Sequence, residues 1–356
     1  QVIPDYRGNP FIESLPNLLS AKDVIERLSY YPEFNKSERL MDSHYRIHMV
    51  DRLFQVFQPL PMNIELERKV SRAIRQGYIL RNPFDSKLAQ EFYSEYHKDN
   101  CVLVKNSNFH SNSIGFTLIG ISGLGKTSSL NRILNIYPQI IIHSKYKKIP
   151  FSMYQVVYLR LECPHDGSIK GLLYEFFAEI DRLLGTNYYK KIMRTRATVD
   201  AMMTVMNQVV RNCALGILVI DEIQHLSLAK SGGSEKMLNF FVNLVNNAGL
   251  PVILVGTPKA IKVLQGDFRQ ARRGSGLGGD MVCDRILKGG VWNLLIDSIW
   301  RYQWTRKETL LTHEISSTLY EETQGIPDLL KKVYAIAQVY AISTEKEEIT
   351  PYIIRK

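Results

Sequence analysis

Two short runs in this chain carry residue types whose spacing does chemistry. Gly120-Ile-Ser122-Gly123-Leu124-Gly125-Lys126-Thr127 fits the pattern G-x-x-x-x-G-K-[ST]. Its glycines let backbone N–H groups turn inward around a phosphate chain. A helix starting behind the loop adds the positive end of its dipole. Lys126 would reach the outer phosphates of a nucleoside triphosphate such as ATP, and the Thr127 hydroxyl would ligate Mg²⁺. Gly120, Ser122, Gly123, Leu124, Gly125, Lys126, Thr127 and Ser128 are therefore candidate nucleotide-binding residues. A chance glycine turn between strand and helix is the bland alternative.

The second run, Gly216-Ile-Leu-Val-Ile-Asp221-Glu222, is an apolar strand ending in two acids. Asp221 would hold Mg²⁺ through water, and Glu222 would orient and deprotonate an attacking water. Two carboxylates at one strand tip repel unless a cation offsets them, which suits Mg²⁺. A solvated acidic turn is the rival. The adjacent pair argues for a triphosphate hydrolase over a small-molecule kinase, where hydrolysis must be suppressed. Pro251-Val-Ile-Leu-Val-Gly-Thr257 is a further apolar strand. Thr257 at its tip would sense the γ-phosphate, or cap the helix starting near Pro258; the sequence leaves both open.

These residues must be positioned by alternating strands and helices. Strands are expected over 114–119, 139–143, 155–162, 216–220 and 251–255. Helices are expected over 128–136, 169–184 (capped by Ser168), 198–213 and 235–246. Continuous apolar strands between helical stretches predict an α/β fold, a parallel sheet flanked by helices. The N-terminal part reads as helices over 21–30, 43–57, 63–79 (capped by Asn63) and 85–97, serving as a docking module or as a lid. Residues 106–113 read as a polar loop and 269–279 as a glycine-rich loop. Residues 291–304 mix strand and helix signals. From Thr312 onward the pattern is helical. The expected organisation is a helical N-terminal region (1–105), a nucleotide-binding core (106–304) and a small helical lid (305–356).

The 356 residues carry a formal net charge of +10, a balance that favours an acidic partner, nucleic acid being the commonest. Cys101, Cys163, Cys213 and Cys283 are scattered without C-x-x-C spacing, which fits a reduced, cytoplasmic compartment better than disulfides or zinc. No apolar run reaches membrane-spanning length, so no membrane partner is expected. The chain opens on Gln1 and stops in mid-pattern at Pro351–Lys356, which predicts a trimmed stretch of a longer protein.

The phosphate loop, Asp221-Glu222-Ile-Gln-His-Leu226 and Leu254-Val-Gly-Thr257 resemble an AAA+ ATPase over about residues 114–260. More narrowly, the 221–226 run and Ser298-Ile-Trp-Arg-Tyr-Gln-Trp304 resemble the TnsC/TniB/MuB group of bacterial transposition regulators, TnsC above all. That resemblance implies ATP-bound subunits assembling head to tail, as a ring or filament, on double-stranded DNA. It further implies selection of a target site, with transposase subunits and a TnsD/TniQ-type target-recognition protein as partners. An arginine finger is implied after the helix following Thr257, where Arg273 fits best and Arg272 and Arg269 are rivals. A second sensor is implied near Gly325-Ile-Pro-Asp328; no arginine stands there, which leaves Lys331, Lys332 or nothing. DNA contact is implied for Lys190, Lys191, Arg194 and Arg196, with Lys145, Lys147 and Lys148 as a second candidate. A replication initiator or loader of the same clade shares every core motif. A scaffold NTPase that never touches DNA is the rival from another class.

Overall fold

The computed structural model describes residues 2–79, 81–84, 115–228, 239–242, 244, 249–261 and 279–356. The expected helix 85–97, the loop 106–113, most of the helix 235–246, and Arg269, Arg272 and Arg273 lie outside the described residues.

Five strands form one sheet in the order β4-β5-β6-β1-β7. They are β1 (Phe116–Gly120), β4 (Tyr158–Glu162), β5 (Ile217–Asp221), β6 (Val252–Gly256) and β7 (Met281–Cys283). The pairs β1–β6, β4–β5 and β5–β6 are parallel, and Glu162 stands in register with Asp221. Strands β1, β5 and β6 are buried along their whole length, as apolar runs covered on both faces must be. Helices accompany the sheet, and the N- and C-terminal regions are helical.

The chain divides into two compact units, each assembled from separated segments. The first comprises Gln1–Leu18, Leu66–Gly120 and Leu130–Val282. In it α1 (Ile169–Leu184) and α2 (Val199–Asn212) pack their apolar faces on the sheet. Phe176, Phe177 and Ile180 of the first, and Met202, Met206 and Val210 of the second, join Leu159, Leu161, Leu218, Ile220 and Leu254 in one core. Ser168 caps α1 as expected, its hydroxyl accepting from Gly171 N at 3.2 Å.

The same unit departs from expectation at 139–156. The isoleucine-rich run reads as a sheet strand, yet β2 (Ile140–Tyr146) and β3 (Ile149–Val156) form a separate antiparallel hairpin. Ile142, 70% exposed, faces solvent, so this run is apolar without being core. The lysines at 145, 147 and 148 surround its turn.

The second unit comprises Leu19–Glu65, Ile121–Ser129 and Cys283–Lys356. Its core gathers Val50, Leu53 and Val56 from the N-terminal segment. Against them stand α3 (Gly290–Trp300), α4 (His313–Thr323), α5 (Pro327–Ser343) and α6 (Pro351–Arg355). The ambiguous stretch 291–304 resolves as α3 followed by a buried turn. There Arg46 Nη1 donates to Trp304 O at 2.8 Å, and Tyr302 OH donates to Pro32 O at 2.9 Å. Buried aromatic side chains with satisfied polar tips explain the mixed periodicity. Asn63 does not cap a helix. The helix starts at Pro61, and buried Asn63 instead accepts from Leu60 N at 2.7 Å. Among the described residues no helix is long and apolar enough to cross a membrane.

Candidate nucleotide site and basic helix

In the second unit the chain leaves β1 and closes a loop before the helix Lys126–Leu134. Gly123 and Gly125 hold φ of +84° and +81°, a region that L side chains rarely adopt. Successive residues turned this way aim main-chain N–H groups into one concavity, which suits an anion. Lys126 is nearly buried, and its Nζ donates to Ile121 O at 2.9 Å across the loop. Behind the loop Asn63 Nδ2 donates to Ser129 Oγ at 2.7 Å, which fixes the first turn of the helix. Asp328 N donates to Gly123 O at 3.1 Å, and a Cβ on Gly123 would meet Ile326 Cγ2 at 2.9 Å. The Gly325–Asp328 segment therefore touches the loop by its main chain. Neither candidate second sensor points a free ammonium there. Lys331 Nζ donates to Val56 O at 2.5 Å, and Lys332 pairs with Asp328 at 2.6 Å.

In the first unit the ends of β4, β5 and β6 collect the acids. Asp221 is buried. Its Oδ2 accepts from Arg160 Nη2 at 3.0 Å, and its Oδ1 accepts from Glu222 N at 2.9 Å. The Asp221 carbonyl accepts from Cys163 N at 2.8 Å. Glu222 is exposed and sits in the left-handed region, φ +56°. That conformation turns its side chain off the strand line. Gln224 joins the group, its Nε2 donating to Glu222 Oε2 and its Oε1 accepting from Thr257 N at 3.1 Å. Thr257 precedes the short helix Pro258–Ala260 but makes no side-chain cap. Among the described residues its buried hydroxyl has no hydrogen-bond partner. Of the two roles the sequence left open for Thr257, capping is thus not seen.

These residues fit ATP and Mg²⁺. The loop offers two glycines at positive φ and a lysine, Thr127 follows that lysine, and Asp221 is an acid at a strand end. The unbonded Thr257 hydroxyl is a polar group left over by the fold, the kind of exception that calls for a ligand or water.

Sequence reasoning missed Arg160 and Gln224. The signal for Arg160 was a lone cation inside the alternating strand Tyr158-Leu-Arg-Leu-Glu162, on the same face as Glu162. For Gln224 it was an amide two residues past the acid pair.

Lys190, Lys191, Arg194 and Arg196 lie on or just after the short helix α7 (Tyr188–Thr195), and all four are exposed. Buried Ile192 anchors the helix. Asp181 caps its start, accepting from Tyr188 N and Tyr189 N at 2.8 Å each. Among the described residues none of the four cations is in an ion pair. The arrangement presents four solvated positive charges on or beside one anchored helix.

Residues 111–264 match the family model described as AAA domain. No curated protein sequence matches the chain. Among solved structures it is similar to a Walker-type ATPase of Pyrococcus abyssi, at 16% identity over 65% of this chain and 63% of that one, TM-score 0.43. It is similar to Cdc6p of Pyrobaculum aerophilum, at 16% identity over 67% and 59%, TM-score 0.46. It is also similar to the ORC1 protein of Aeropyrum pernix, solved in complex with DNA, at 15% identity over 68% and 58%, TM-score 0.41. The chain thus spans less than two thirds of the length of each, and likenesses of this extent carry no functional argument. The family match, the phosphate loop and the strand-end acids together make the segment 111–264 similar to an AAA-type P-loop domain.

Proposed function

We propose that this chain is an ATP-hydrolysing switch that gathers on duplex DNA. The observation that carries the reading is the glycine-turned loop with Lys126, in a chain whose strand β5 ends in Asp221 and Glu222. Bound ATP with Mg²⁺ supplies the phosphoanhydride to be cleaved. Lys126 and the loop N–H groups would hold its outer phosphates, while Thr127 and Asp221 would hold the cation. Glu222 would accept the proton of the attacking water, and the Thr257 hydroxyl would orient that water or the γ-phosphate. Arg273, with Arg272 and Arg269 as rivals, is proposed to complete the site of a neighbouring subunit.

Lys190, Lys191, Arg194 and Arg196 support the DNA half of the reading, being exposed and without an ion pair among the described residues, on or just after one short helix. Phosphate tracking by such residues needs little base reading. The finer proposal is regulation of DNA transposition in the manner of the TnsC group. Its partners would be transposase subunits, a TnsD/TniQ-type target-recognition protein and further copies of this chain. It rests on the 221–226 run, since Trp300, Tyr302 and Trp304 are buried and serve packing. In the same scheme residues 1–105 are proposed to dock a partner, 106–304 to bind nucleotide, and 305–356 to act as a lid.

Electron microscopy of the protein on duplex DNA, with and without a non-hydrolysable ATP analogue, tests the scheme. Ordered assemblies on duplex only with the analogue are expected. Equal gathering without nucleotide overturns it. Glu222→Gln is expected to bind ATP and duplex but not to turn over, whereas Lys126→Ala is expected not to bind ATP.

A further inference from the structure

Strand β5 passes its acid pair and turns at once into the tight helical segment Ile223–Leu228. That turn brings Gln224 back across the end of β6. There the amide spans two groups of the proposed chemistry: its Oε1 accepts from Thr257 N at 3.1 Å, and its Nε2 donates to Glu222 Oε2. The orientation is dictated by the partners. A backbone N–H can only donate and an ionised carboxylate can only accept, so one placement of the amide satisfies both. The main chain makes room for this bridge. A Cβ on Gly256 would come within 2.9 Å of Gln224 Oε1 and 2.5 Å of Ile223 Cγ2. Glycine at 256 therefore keeps open the lane through which Gln224 reaches Thr257.

We propose that Gln224 is a positioning residue for hydrolysis, binding the Glu222 carboxylate to the end of β6 so that the base and the Thr257 hydroxyl move as one body. The proposal rests on the reading of Glu222 as general base. Glu222 is exposed on a left-handed backbone, and an exposed carboxylate samples several rotamers unless something holds it. An amide suits the task. It donates to one carboxylate oxygen, leaves the other for water, and has no proton equilibrium of its own near neutrality. A displacement of β6 by nucleotide at Thr257 would reach Glu222 through two hydrogen bonds.

ATP hydrolysis by the full chain, with duplex DNA present, is measured as kcat and KM for the parental protein, Gln224→Leu, Gln224→Glu and Glu222→Gln. Gln224→Leu removes both bonds at similar volume. It is expected to lower kcat by about 10- to 100-fold with KM for ATP within about twofold of parental. Gln224→Glu keeps the acceptor for Thr257 N–H but loses the donor to Glu222, and it is expected to lower kcat by a similar factor with the same KM. A purely structural role would move KM together with kcat. Parental kcat in Gln224→Glu, with Glu222→Gln inactive, overturns the proposal and leaves the base reading standing. Parental turnover in Glu222→Gln overturns the base reading and this proposal with it. Should Gln224→Leu fail to fold, the kcat of Gln224→Glu decides.

Discussion

Asp328 donates its backbone N–H to the carbonyl of Gly123 at 3.1 Å, so the first turn of α5 grips the phosphate loop by its main chain. The contact is close because Gly123 has no side chain: a Cβ there would meet Ile326 Cγ2 at 2.9 Å and Asp328 Cβ at 3.3 Å. A Cβ on Gly125 would meet only Ser129 Oγ, at 3.9 Å. Both residues sit at positive φ, so both alanine variants are strained. Gly123→Ala adds the clash and is expected to cost about 1–3 kcal/mol of stability, more than Gly125→Ala. Denaturant melts of the two variants measure the difference. Equal losses would mean that the α5 contact adds nothing to the loop.

Arg160 offers the second prediction. Its Nη2 lies 3.0 Å from Asp221 Oδ2, and the Asp221 side chain is 3% exposed. Arg160→Met keeps the aliphatic stem but removes the cation that faces a buried carboxylate. A loss of about 1–3 kcal/mol is expected, the partly exposed arginine keeping it below a fully buried pair. Mg²⁺ with an ATP analogue supplies a replacement cation at Asp221, so it is expected to return part of the loss. Thermal melts with and without Mg²⁺-nucleotide read this directly. A deficit unchanged by Mg²⁺-nucleotide would separate Asp221 from the metal.

The local patterns were legible in the sequence and the non-local partners were not. Lys126 and the acid pair belong to contiguous runs whose geometry follows from strand, turn and helix. Arg160 meets Asp221 only because β4 and β5 lie side by side with Arg160 opposite Val219. Nothing in either run announces that register. Asn63 shows the same limit. It stands where a cap is expected, but the helix starts at Pro61, so its Oδ1 accepts from Leu60 N while its Nδ2 donates to Ser129 Oγ. The hairpin 140–156 misled because β-branched runs mark strands without marking which sheet they join. The burial of Val50, Leu53 and Val56 among the C-terminal helices depends on contacts between chain ends. Helical periodicity carries no record of such contacts.

Thr257 separates stability from chemistry. Its hydroxyl is buried without a partner among the described residues, so replacing it by a methyl group removes an unsatisfied polar atom. Thr257→Val is expected to leave stability unchanged or to raise it by up to about 1 kcal/mol. The same change is expected to lower kcat for ATP hydrolysis at least about tenfold, if the hydroxyl orients the reacting groups. Loss of stability with full turnover would reverse the assignment and make the hydroxyl structural.

Glu347 ties the N-terminal segment to the C-terminal helical region and sets an acid limit. Burial pushes its carboxyl up, but hydrogen bonds from Arg46 and from the Arg306 N–H, with the charges of both arginines, leave it below its ordinary value near 4.5. A carboxyl held lower in the folded state gives stability that is complete above the unfolded value. That stability is lost as pH falls through the folded one. Glu347→Gln is therefore expected to flatten the stability-against-pH curve below about pH 4.5. At neutral pH it costs about 2–4 kcal/mol, because Arg46, 1% exposed, is left without its carboxylate. Urea melts from pH 3 to pH 7 test both effects (the chosen range brackets about pH 4.5). A parallel, undisplaced curve would remove Glu347 from the acid response.

The basic helix α7 carries the prediction on which the DNA reading stands. Lys191 and Arg194 are exposed on it, while Ile192 is buried and Asp181 accepts from Tyr188 N and Tyr189 N at its start. Reversal of both to glutamate is therefore expected to leave the melting temperature and ATP affinity unchanged while removing duplex binding. The mechanism has a measurable slope: each phosphate neutralised releases counterions, so log K falls with log salt by about 0.9 per contact. A single change, Lys191→Ala, is expected to reduce that slope by about one and to weaken binding equally across unrelated sequences. Fluorescence anisotropy on two duplexes of different sequence, over a series of salt concentrations, measures both. A double reversal that binds at parental strength would place the duplex elsewhere on the chain, with the lysines around the 140–156 hairpin next in line. A sequence-selective loss would mean that the helix reads bases and not only the backbone.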